Sequence, residues 1–408
     1  MAYRVCSISG GGVRGIIPAT IIKEMLVISK NNEGTGKITD LCDYVVGTSV
    51  GGIVGAGLVA SEDGESSKFT PEEVLKLLQS NAETIFPQDA NYWLHSSITG
   101  ISTILGVVAG AALGAAFSPA IPFIGGAAAI GIVGAAGGFA FGNKYSDVLD
   151  GMFTPKYSRD GIDGLLDKYF ADLKLTDVII PFTTVSYSLE QNNPRAWSTL
   201  KAQIMTKDDL FLKDALGATS AAPTFFPHKV TKVTTIIDQE EIYYDIDGGI
   251  FANSPVNLAI AVLLKHASNE VHLQIEKEGI TVLSIGTGYY KSSSSFVPPT
   301  SFEESKLGYG LLDPLVFKVM HAVERDSIIQ ARYVTKAIRV DPRLAEKSLI
   351  PMDKSNPEHV KSLSKASADF VVEHKEILEE YVKCMMLDEH CKELITESTP
   401  NYSYEVII

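Results

Sequence analysis

The chain has 408 residues, of which 45% are hydrophobic and 21% are charged, and its formal net charge is −14. This composition is too apolar for a disordered protein, and the length suits one large domain or two of ordinary size. The acidic balance argues against a nucleic-acid polymer as a partner, because such binding needs a basic surface. It also argues against docking on anionic lipid through charge alone.

The first third of the sequence alternates predicted strands with predicted helices. Residues 3–8 are a run of strand formers that ends in Gly10-Gly11-Gly12, and residues 16–30 have the apolar spacing of a helix. The strand-like run 44–46 leads into a second glycine-rich turn and an apolar helix that ends near Ala60. A strand, a glycine turn and a helix, repeated in this order, indicate a parallel sheet with crossover helices.

The remaining chain continues this pattern and becomes mainly helical toward its end. Thr70-Pro71-Glu72-Glu73 predicts a helix start, with a Thr cap, Pro at the first helical position and acidic residues in the first turn. The predicted strands are 179–187, 280–285 and 334–340, with a hairpin or edge strands over 233–246, and the predicted helices are 208–216, 255–266 and one long closing helix over 358–387.

The pentapeptide Gly47-Thr48-Ser49-Val50-Gly51 fits Gly-x-Ser-x-Gly between a predicted strand and a predicted helix. That is the context of a nucleophile elbow, in which a sharp turn lifts the serine hydroxyl out of the sheet. Gly47 and Gly51 flank the serine where a Cβ would clash with the strand or the helix. A glycine-rich turn without a catalytic role is the alternative, and the pentapeptide alone favours neither.

The first glycine-rich turn, Gly10-Gly11-Gly12-Val13-Arg14-Gly15, also lies between a predicted strand and a predicted helix. Successive N–H groups free of side chains form a cradle for an oxyanion or a phosphate. The spacing is not Gly-x-Gly-x-x-Gly and the turn lacks Gly-Lys-Ser/Thr, which argues against dinucleotide and P-loop sites. Arg14 either adds a positive charge beside the cradle or pairs with a carboxylate at the surface.

A third motif, Asp247-Gly248-Gly249, follows the strand-like run 242–246. An aspartate followed by two glycines at a strand end can reach a neighbouring loop because the backbone leaves room for it. Taken alone, the motif is more typical of an ordinary Asp-Gly turn.

Together these motifs resemble the patatin-like phospholipase family, and the resemblance covers residues 5–60 and 215–288 in the family's order. It implies that residues 10–15 are the oxyanion loop, that Ser49 is the nucleophile and that Asp247 is the catalytic aspartate. The segments 220–227 and 253–255 are similar to the family as well. The implied fold is α/β, with a mainly parallel central sheet flanked by helices, and the implied activity is hydrolysis of fatty-acyl esters of membrane phospholipids.

The resemblance implies a Ser49–Asp247 dyad, in which the aspartate accepts the serine proton directly, with no cofactor and no metal. A Ser-Asp-His triad in this chain order requires a histidine beyond Asp247. The candidates are His266, His272, His321, His359, His374 and His390. None lies in a glycine-rich loop at a strand end, so we expect the dyad. Acyltransfer to an alcohol is a close variant of the same chemistry.

Residues 96–142 contain no Asp, Glu, Lys or Arg. The halves 98–117 and 122–141 are each long enough to cross a bilayer as helices, and glycines recur at every fourth residue in both. Membrane insertion is the favoured interpretation, beside a buried or self-associating hairpin, which would make a homo-oligomer, and a lid over the active site. A membrane-disrupting or scaffolding protein acting through this hairpin is the second function class.

The predicted domains are a catalytic domain over 1–95 and 143–300, the insertion 96–142 and a mainly helical part over 301–408 packed on the catalytic domain. The start at Met1 without a signal peptide, with Cys6 and Cys42 in apolar runs, predicts a cytoplasmic, membrane-associated protein. Basic residues are frequent over 318–347, where a solvated helix face is favoured over a phosphate site. Some family members are antiphage effectors switched on by a cyclic nucleotide, so a small nucleotide activator is a weaker expectation.

Overall fold

The computed structural model describes residues 1–88, 155–205, 209–234, 240–290, 320, 323–324, 326–332 and 334–387. The predicted hairpin 96–142 therefore lies outside the described residues. The strands are β1 Tyr3–Ile8, β2 Tyr44–Thr48, β3 Phe182–Ser188, β4 Asn193–Ser198, β5 Lys229–Thr234, β6 Glu240–Asp247, β7 Ile280–Ile285 and β8 Lys336–Val340. The helices are α1 Ile16–Asn31, α2 Val50–Val59, α3 Pro71–Ile85, α4 Asp160–Phe170, α5 Thr199–Ile204, α6 Leu212–Thr219, α7 Gly249–Ala252, α8 Val256–His266, α9 Asn269–Glu278, α10 Pro357–Glu373 and α11 Lys375–Leu387.

The strands form one eight-stranded sheet in the order β5-β6-β3-β2-β1-β7-β8, with β4 paired to β3. Five neighbouring strands of this sheet are parallel to one another: β3, β2, β1, β7 and β8. The other three strands, β4, β5 and β6, pair in antiparallel fashion. The expected α/β class and mainly parallel centre are confirmed. The predicted strand at 334–340 is β8, so the C-terminal part contributes an edge strand to the same sheet.

Both faces of the sheet are covered by helices. Because successive side chains of a strand point to opposite faces, neighbouring residues of one strand pack into different cores. In β1, Cys6 and Ile8 belong to the large core shared with α1, α2 and α3, while Tyr3 and Val5 belong to a smaller core shared with α8. The helices α10 and α11 pack on α1, and α10 also contacts α3. The protein is therefore a three-layer α/β/α structure with its C-terminal helices on the α1 side.

The predicted helix start at Thr70 is present as a capping box, in which Thr70 and Glu73 bond each other's backbone N–H groups. The single closing helix predicted over 358–387 is wrong, because it is two helices separated at His374. That residue leaves the helical conformation (φ −111°, ψ 22°), and its ring nitrogen lies 2.9 Å from the Phe370 carbonyl oxygen.

The three cysteines that the structure describes do not share one state. Cys6 and Cys42 are buried free thiols, whereas the buried Cys384 is disulfide-bonded. Within the residues that the structure describes, no helix combines the length and the hydropathy needed to cross a membrane.

Candidate active site

Ser49 occupies the turn between β2 and α2 with a left-handed backbone (φ 56°, ψ −129°), which is a strained conformation for a residue other than glycine. The flanking glycines are required by close backbone contacts. A Cβ on Gly47 would lie 2.2 Å from the Gly51 carbonyl oxygen, and a Cβ on Gly51 would lie 2.3 Å from the Ile8 carbonyl oxygen. The Gly-x-Ser-x-Gly pattern therefore has the steric basis of an elbow, with the serine at the N-terminus of α2.

Thr219, at the end of α6, fixes this turn from the side. Its hydroxyl accepts a hydrogen bond from the Ser49 N–H (2.9 Å) and donates one to the Val185 carbonyl oxygen (2.5 Å). Sequence reasoning did not single out Thr219, because 170 residues separate it from the serine and no local pattern marks it.

Asp247 reaches Ser49 because β6 and β2 share one edge of β3. Thr48, the last residue of β2, lies opposite Val185, and Asp247, the last residue of β6, lies opposite the next residue, Ser186. Since β6 is antiparallel to β3, the two strands meet end to end. The Ser49 side chain lies close enough to the Asp247 carboxylate to lower its pKa, and both residues line the same cavity, so the structure brings the two predicted catalytic residues together.

The Asp247 carboxylate is buried, with 4% of the residue exposed. Burial raises its pKa to about 7, although hydrogen bonds from Ser49 and from the Gly249 N–H (2.7 Å) oppose that increase. Gly248 is needed beside it, since a Cβ there would lie 2.5 Å from the Val185 carbonyl oxygen. A carboxylate with a pKa near neutrality can both take and return a proton, which suits a general base.

The N–H groups of the loop 10–15 are not equally available to a ligand. The Gly10 N–H donates to Asn253 (3.1 Å), the Val13 N–H donates to Met352 (2.8 Å) and the Arg14 N–H donates to Gly11 (3.2 Å), each to a backbone carbonyl oxygen.

The residues of this loop that line the cavity beside Ser49 are Gly11, Gly12 and Val13. Since the Val13 N–H is already bonded, the N–H groups of Gly11 and Gly12 are the ones among these three that have no backbone acceptor within the described residues. Gly12 has φ +57°, and a Cβ on Gly15 would lie 2.3 Å from the Val50 side chain, so these glycines shape the loop.

Arg14 lies neither in the cavity nor at the surface. Only 1% of it is exposed, and its guanidinium donates to the Gly288 carbonyl oxygen (2.9 Å). Burial lowers the pKa of Arg14 to about 10, which the nearby charges of Asp341 and Glu324 partly offset. The surface pairing considered for Arg14 is thus absent, and the side chain instead ties the glycine-rich loop to the turn that follows β7.

A second buried arginine lies close by. Arg339, on β8, forms ion pairs with Glu324 and Asp341 and is 4% exposed, so it does not belong to the solvated helix face predicted over 318–347. Glu324 also accepts hydrogen bonds from Ser9 (2.8 Å) and from the Asn253 amide (3.1 Å). This cluster of Arg339, Glu324 and Asp341 is hydrogen-bonded to Ser9, which follows β1, and to Ser284 in β7.

Ser49 and Asp247 line an apolar cavity that extends between α3 and α4. Its apolar wall includes Ile53, Leu77, Leu78, Ala82, Ile85, Phe86, Ile162, Leu165, Phe225, Phe226, Met320 and Met352. Phe86, Phe225 and Phe226 pack with Tyr157 as an aromatic cluster, with centroids 5.4 to 6.2 Å apart. The predicted segment 220–227 thus contributes to the wall, while the contribution of α3 and α4 had no sequence signal.

No histidine lines the cavity among the described residues. His266, His272, His359 and His374 belong to α8, α9 and α10 or their ends, while His321 and His390 lie outside the described residues. His321 adjoins the cavity-lining Met320 in sequence, and any test of the dyad therefore has to include it. Within the same described ranges, no group of three or more His, Cys, Asp or Glu side chains has a metal-binding arrangement.

Known proteins resemble this chain over the same region. Residues 6–260 match the family described as patatin-like phospholipase. The chain is 29% identical to Patatin-like protein 2 of Oryza sativa subsp. indica over 264 residues, which cover 64% of this chain and 53% of that protein. It is 25% identical to Patatin-like protein 2 of Arabidopsis thaliana, covering 76% and 64%, and 29% identical to Patatin-like protein 3 of the same plant, covering 72% and 60%.

The chain thus spans between 53% and 64% of the length of these curated relatives. The crystal structure of VipD from Legionella pneumophila matches with a TM-score of 0.33 and 10% identity, over 99% of this chain and 78% of that one, which is too distant to bear on the site. The family match begins in β1, ends in α8 and includes the elbow, the glycine-rich loop and Asp247. It covers more than half of the sequence, and the chain belongs to the patatin-like phospholipase family.

Proposed function

We propose that this chain is a lipid acyl hydrolase that cleaves fatty-acyl esters of membrane phospholipids through a Ser49–Asp247 dyad. The observation that carries the proposal is the placement of the Ser49 side chain beside the buried Asp247 carboxylate, where both line an apolar cavity. The cavity suits an acyl chain, because burial of each methylene contributes about 0.8 kcal/mol.

In the first half of the reaction, ionised Asp247 accepts the Ser49 proton while Ser49 Oγ attacks the ester carbonyl carbon. The negative charge that develops on the carbonyl oxygen is stabilised by the N–H groups of Gly11 and Gly12. Asp247 then returns its proton to the departing alkoxide, the bond between carbonyl carbon and alcohol oxygen breaks, and the acyl group remains on Ser49.

In the second half, a water molecule takes the place of the alcohol. Asp247 accepts a proton from this water as its oxygen attacks the acyl carbonyl carbon. The Ser49 Oγ–carbon bond breaks, the proton returns to Ser49 and the fatty acid leaves. An alcohol in place of the water would give acyltransfer on the same dyad.

The test measures fatty-acid release from phosphatidylcholine vesicles by mass spectrometry, for wild type and for Ser49→Ala, Asp247→Ala and single His→Ala variants at all six downstream positions. We expect loss of activity in the Ser49 and Asp247 variants alone. Ser362→Ala is a matched control, because its hydroxyl bonds only the Glu358 carbonyl oxygen on the exposed side of α10. Full activity without Asp247, or complete loss in one histidine variant such as His321→Ala, contradicts the dyad.

Covalent labelling separates the nucleophile from the rest of the site. A fluorophosphonate probe is expected to add to Ser49 in wild type, because the reaction needs an activated serine. Peptide mass spectrometry identifies the labelled residue. Labelling of another serine, or equal labelling of Ser49→Ala, contradicts the assignment.

Membrane contact through residues 96–142 stays a prediction, since that segment lies outside the described residues. Deletion of 96–142 is expected to weaken liposome binding, and unchanged binding contradicts the prediction. The Ser49→Ala variant separates the two function classes: membrane damage that persists without ester cleavage favours a membrane-disrupting protein over a hydrolase.

A further inference from the structure

The segment from Met352 to Ser355 lies beyond the family match, yet it contacts the glycine-rich loop directly. The Met352 carbonyl oxygen accepts the Val13 N–H (2.8 Å), and a Cβ on Gly12 would lie only 2.2 Å from that same oxygen. Gly12 also has a left-handed backbone at φ +57°. The Met352 carbonyl is therefore held against the backbone next to Gly11 and Gly12, which line the cavity.

Asp353 holds this segment against the rest of the protein. Its carboxylate forms an ion pair with Lys156 and accepts a hydrogen bond from the Tyr157 hydroxyl (2.9 Å). The Gln88 amide donates to the Asp353 carbonyl oxygen (3.1 Å) and to the Ser355 hydroxyl oxygen (3.0 Å). The residue after Met352 is thus bonded through both its side chain and its backbone.

The partners of Asp353 are hydrogen-bonded to the cavity wall. The backbone N–H groups of Lys156 and Tyr157 donate to the carbonyl oxygens of Thr224 (2.9 Å) and Phe225 (2.8 Å), two residues that line the cavity. A continuous chain of contacts therefore runs from the wall of the cavity, through Asp353, to the Gly12–Val13 backbone.

The Asp353 carboxylate is more buried than that of a surface ion pair, while its partner Lys156 is 51% exposed. Its side chain is 15% exposed, whereas the Asp167 side chain, paired with Lys213 at 2.8 Å on the outside of α4, is 65% exposed. Water and salt screen the exposed pair, so it contributes little. Asp353 and Asp167 therefore form a matched pair of Asp–Lys contacts that differ in burial and in distance from the loop.

We propose that Asp353 is a positioning residue that holds the Met352 carbonyl, and through it the oxyanion-binding N–H groups of Gly11 and Gly12, in their catalytic geometry. The proposal rests on the proposed ester hydrolysis at Ser49. It assigns a catalytic contribution to a part of the chain that lies outside the family match at 6–260.

The experiment compares Asp353→Asn with Asp167→Asn in the hydrolysis of a soluble p-nitrophenyl acyl ester. Loss of one complete oxyanion donor lowers kcat by about 10²–10³-fold, and loosened donors retain part of that effect, so Asp353→Asn is expected to lower kcat about 10-fold. KM is expected to stay within about twofold, because the apolar wall still binds the acyl chain. Asp167→Asn is expected to match wild type, and Asp353→Glu, which keeps the charge, is expected to recover part of kcat.

A second readout follows oxyanion binding without turnover. A trifluoromethyl ketone forms a tetrahedral adduct with the serine, and its affinity is expected to fall in proportion to kcat in Asp353→Asn. If that variant does not fold, Tyr157→Phe removes one hydrogen bond to the same carboxylate and is expected to lower kcat in the same direction. Wild-type kcat in a folded Asp353→Asn or Tyr157→Phe variant refutes the proposal, and so does a rise in KM without a change in kcat.

Ser49→Ala measured in parallel keeps the two proposals apart. If wild type hydrolyses the ester and Ser49→Ala does not, the proposed function stands whatever Asp353→Asn shows. If wild type and Ser49→Ala are equally inactive, the proposed function fails, and equal affinity of wild type and Asp353→Asn for the ketone would then refute the positioning role as well.

Discussion

Substitution of Asp247 by Asn is expected to abolish activity and, at the same time, to stabilise the fold at alkaline pH. The carboxylate is buried, and burial raises its pKa from 3.8 to about 7 despite the hydrogen bonds from Ser49 and Gly249. The native state therefore binds this proton more tightly than the unfolded chain does. Consequently, wild-type stability declines as the pH rises from about 4 to about 7, and it levels off above that range.

The size of the effect follows from the two pKa values. Each pH unit between them corresponds to about 1.4 kcal/mol, so the titration of Asp247 lowers the free energy of unfolding by up to about 3 kcal/mol between pH 5 and pH 8. An asparagine does not titrate. The difference in stability between Asp247→Asn and wild type is therefore expected to increase by about 3 kcal/mol from pH 5 to pH 8.

Urea unfolding at both pH values, followed by tryptophan fluorescence, measures this difference. Comparing the two conditions cancels any packing difference between Asp and Asn, because that difference is the same at each pH. Asp167→Asn is the control, since its side chain is 65% exposed and its contribution is expected to change little. A stability difference for Asp247→Asn that is the same at pH 5 and pH 8, or larger at pH 5, would refute the reasoning.

Further predictions concern activity and the elbow. The kcat/KM of wild type is expected to fall below about pH 7, as Asp247 becomes protonated, and an acidic limb near pH 4 would contradict this assignment. Thr219→Val removes the hydroxyl that bonds the Ser49 N–H, and steady-state kinetics are expected to show a kcat about 10-fold lower at a similar KM. Gly51→Ala places a Cβ 2.3 Å from the Ile8 carbonyl oxygen and is expected to lower stability by about 3 kcal/mol or more in urea unfolding. Gly164→Ala, with open space around its Cβ in α4, is the control and is expected to raise stability by about 1 kcal/mol.

The sequence predicted those parts of the site that depend on local backbone geometry. The elbow needs glycines at positions 47 and 51 because backbone atoms lie within 2.3 Å of where a Cβ would be, and such a requirement leaves a readable pattern. The same holds for Gly248 beside Asp247. Strand β1 and helix α1 were also predicted closely, since β1 is rich in strand formers and α1 has the apolar spacing of a helix.

Residues that act through tertiary contacts left no such pattern. Thr219 and Met352 each bond a backbone group of the elbow or of the glycine-rich loop, but they come from segments distant in the chain. Helix α9 went unpredicted because its apolar contact with the core is slight: none of its residues is fully buried, and Val271 and Ile275 pack on the smaller core while partly exposed. Strand β4 went unpredicted because it begins Asn193-Pro194, which is typical of a turn, and these first two residues are exposed.

The placement of the dyad depends on the register of β6 against β3 as much as on the motif itself. A slip of one residue would move Asp247 by about 3.3 Å along β3 and turn its side chain to the other face of the sheet. Buried polar contacts hold the register: Asp245 accepts hydrogen bonds from Ser186 (2.7 Å) and from Arg195 (3.1 Å).

Asp245 points to the same face of the sheet as Asp247 because it lies two residues earlier on β6. Burial raises the pKa of Asp245 to about 6, and Arg195 opposes that increase. Hydrophobic packing alone would hold this edge of the sheet less specifically, because apolar contacts tolerate small shifts whereas a hydrogen bond does not. The two aspartates of β6 therefore have different roles. Asp245 fixes the register of β6 against β3, and that register places Asp247 at the end of β2, beside Ser49.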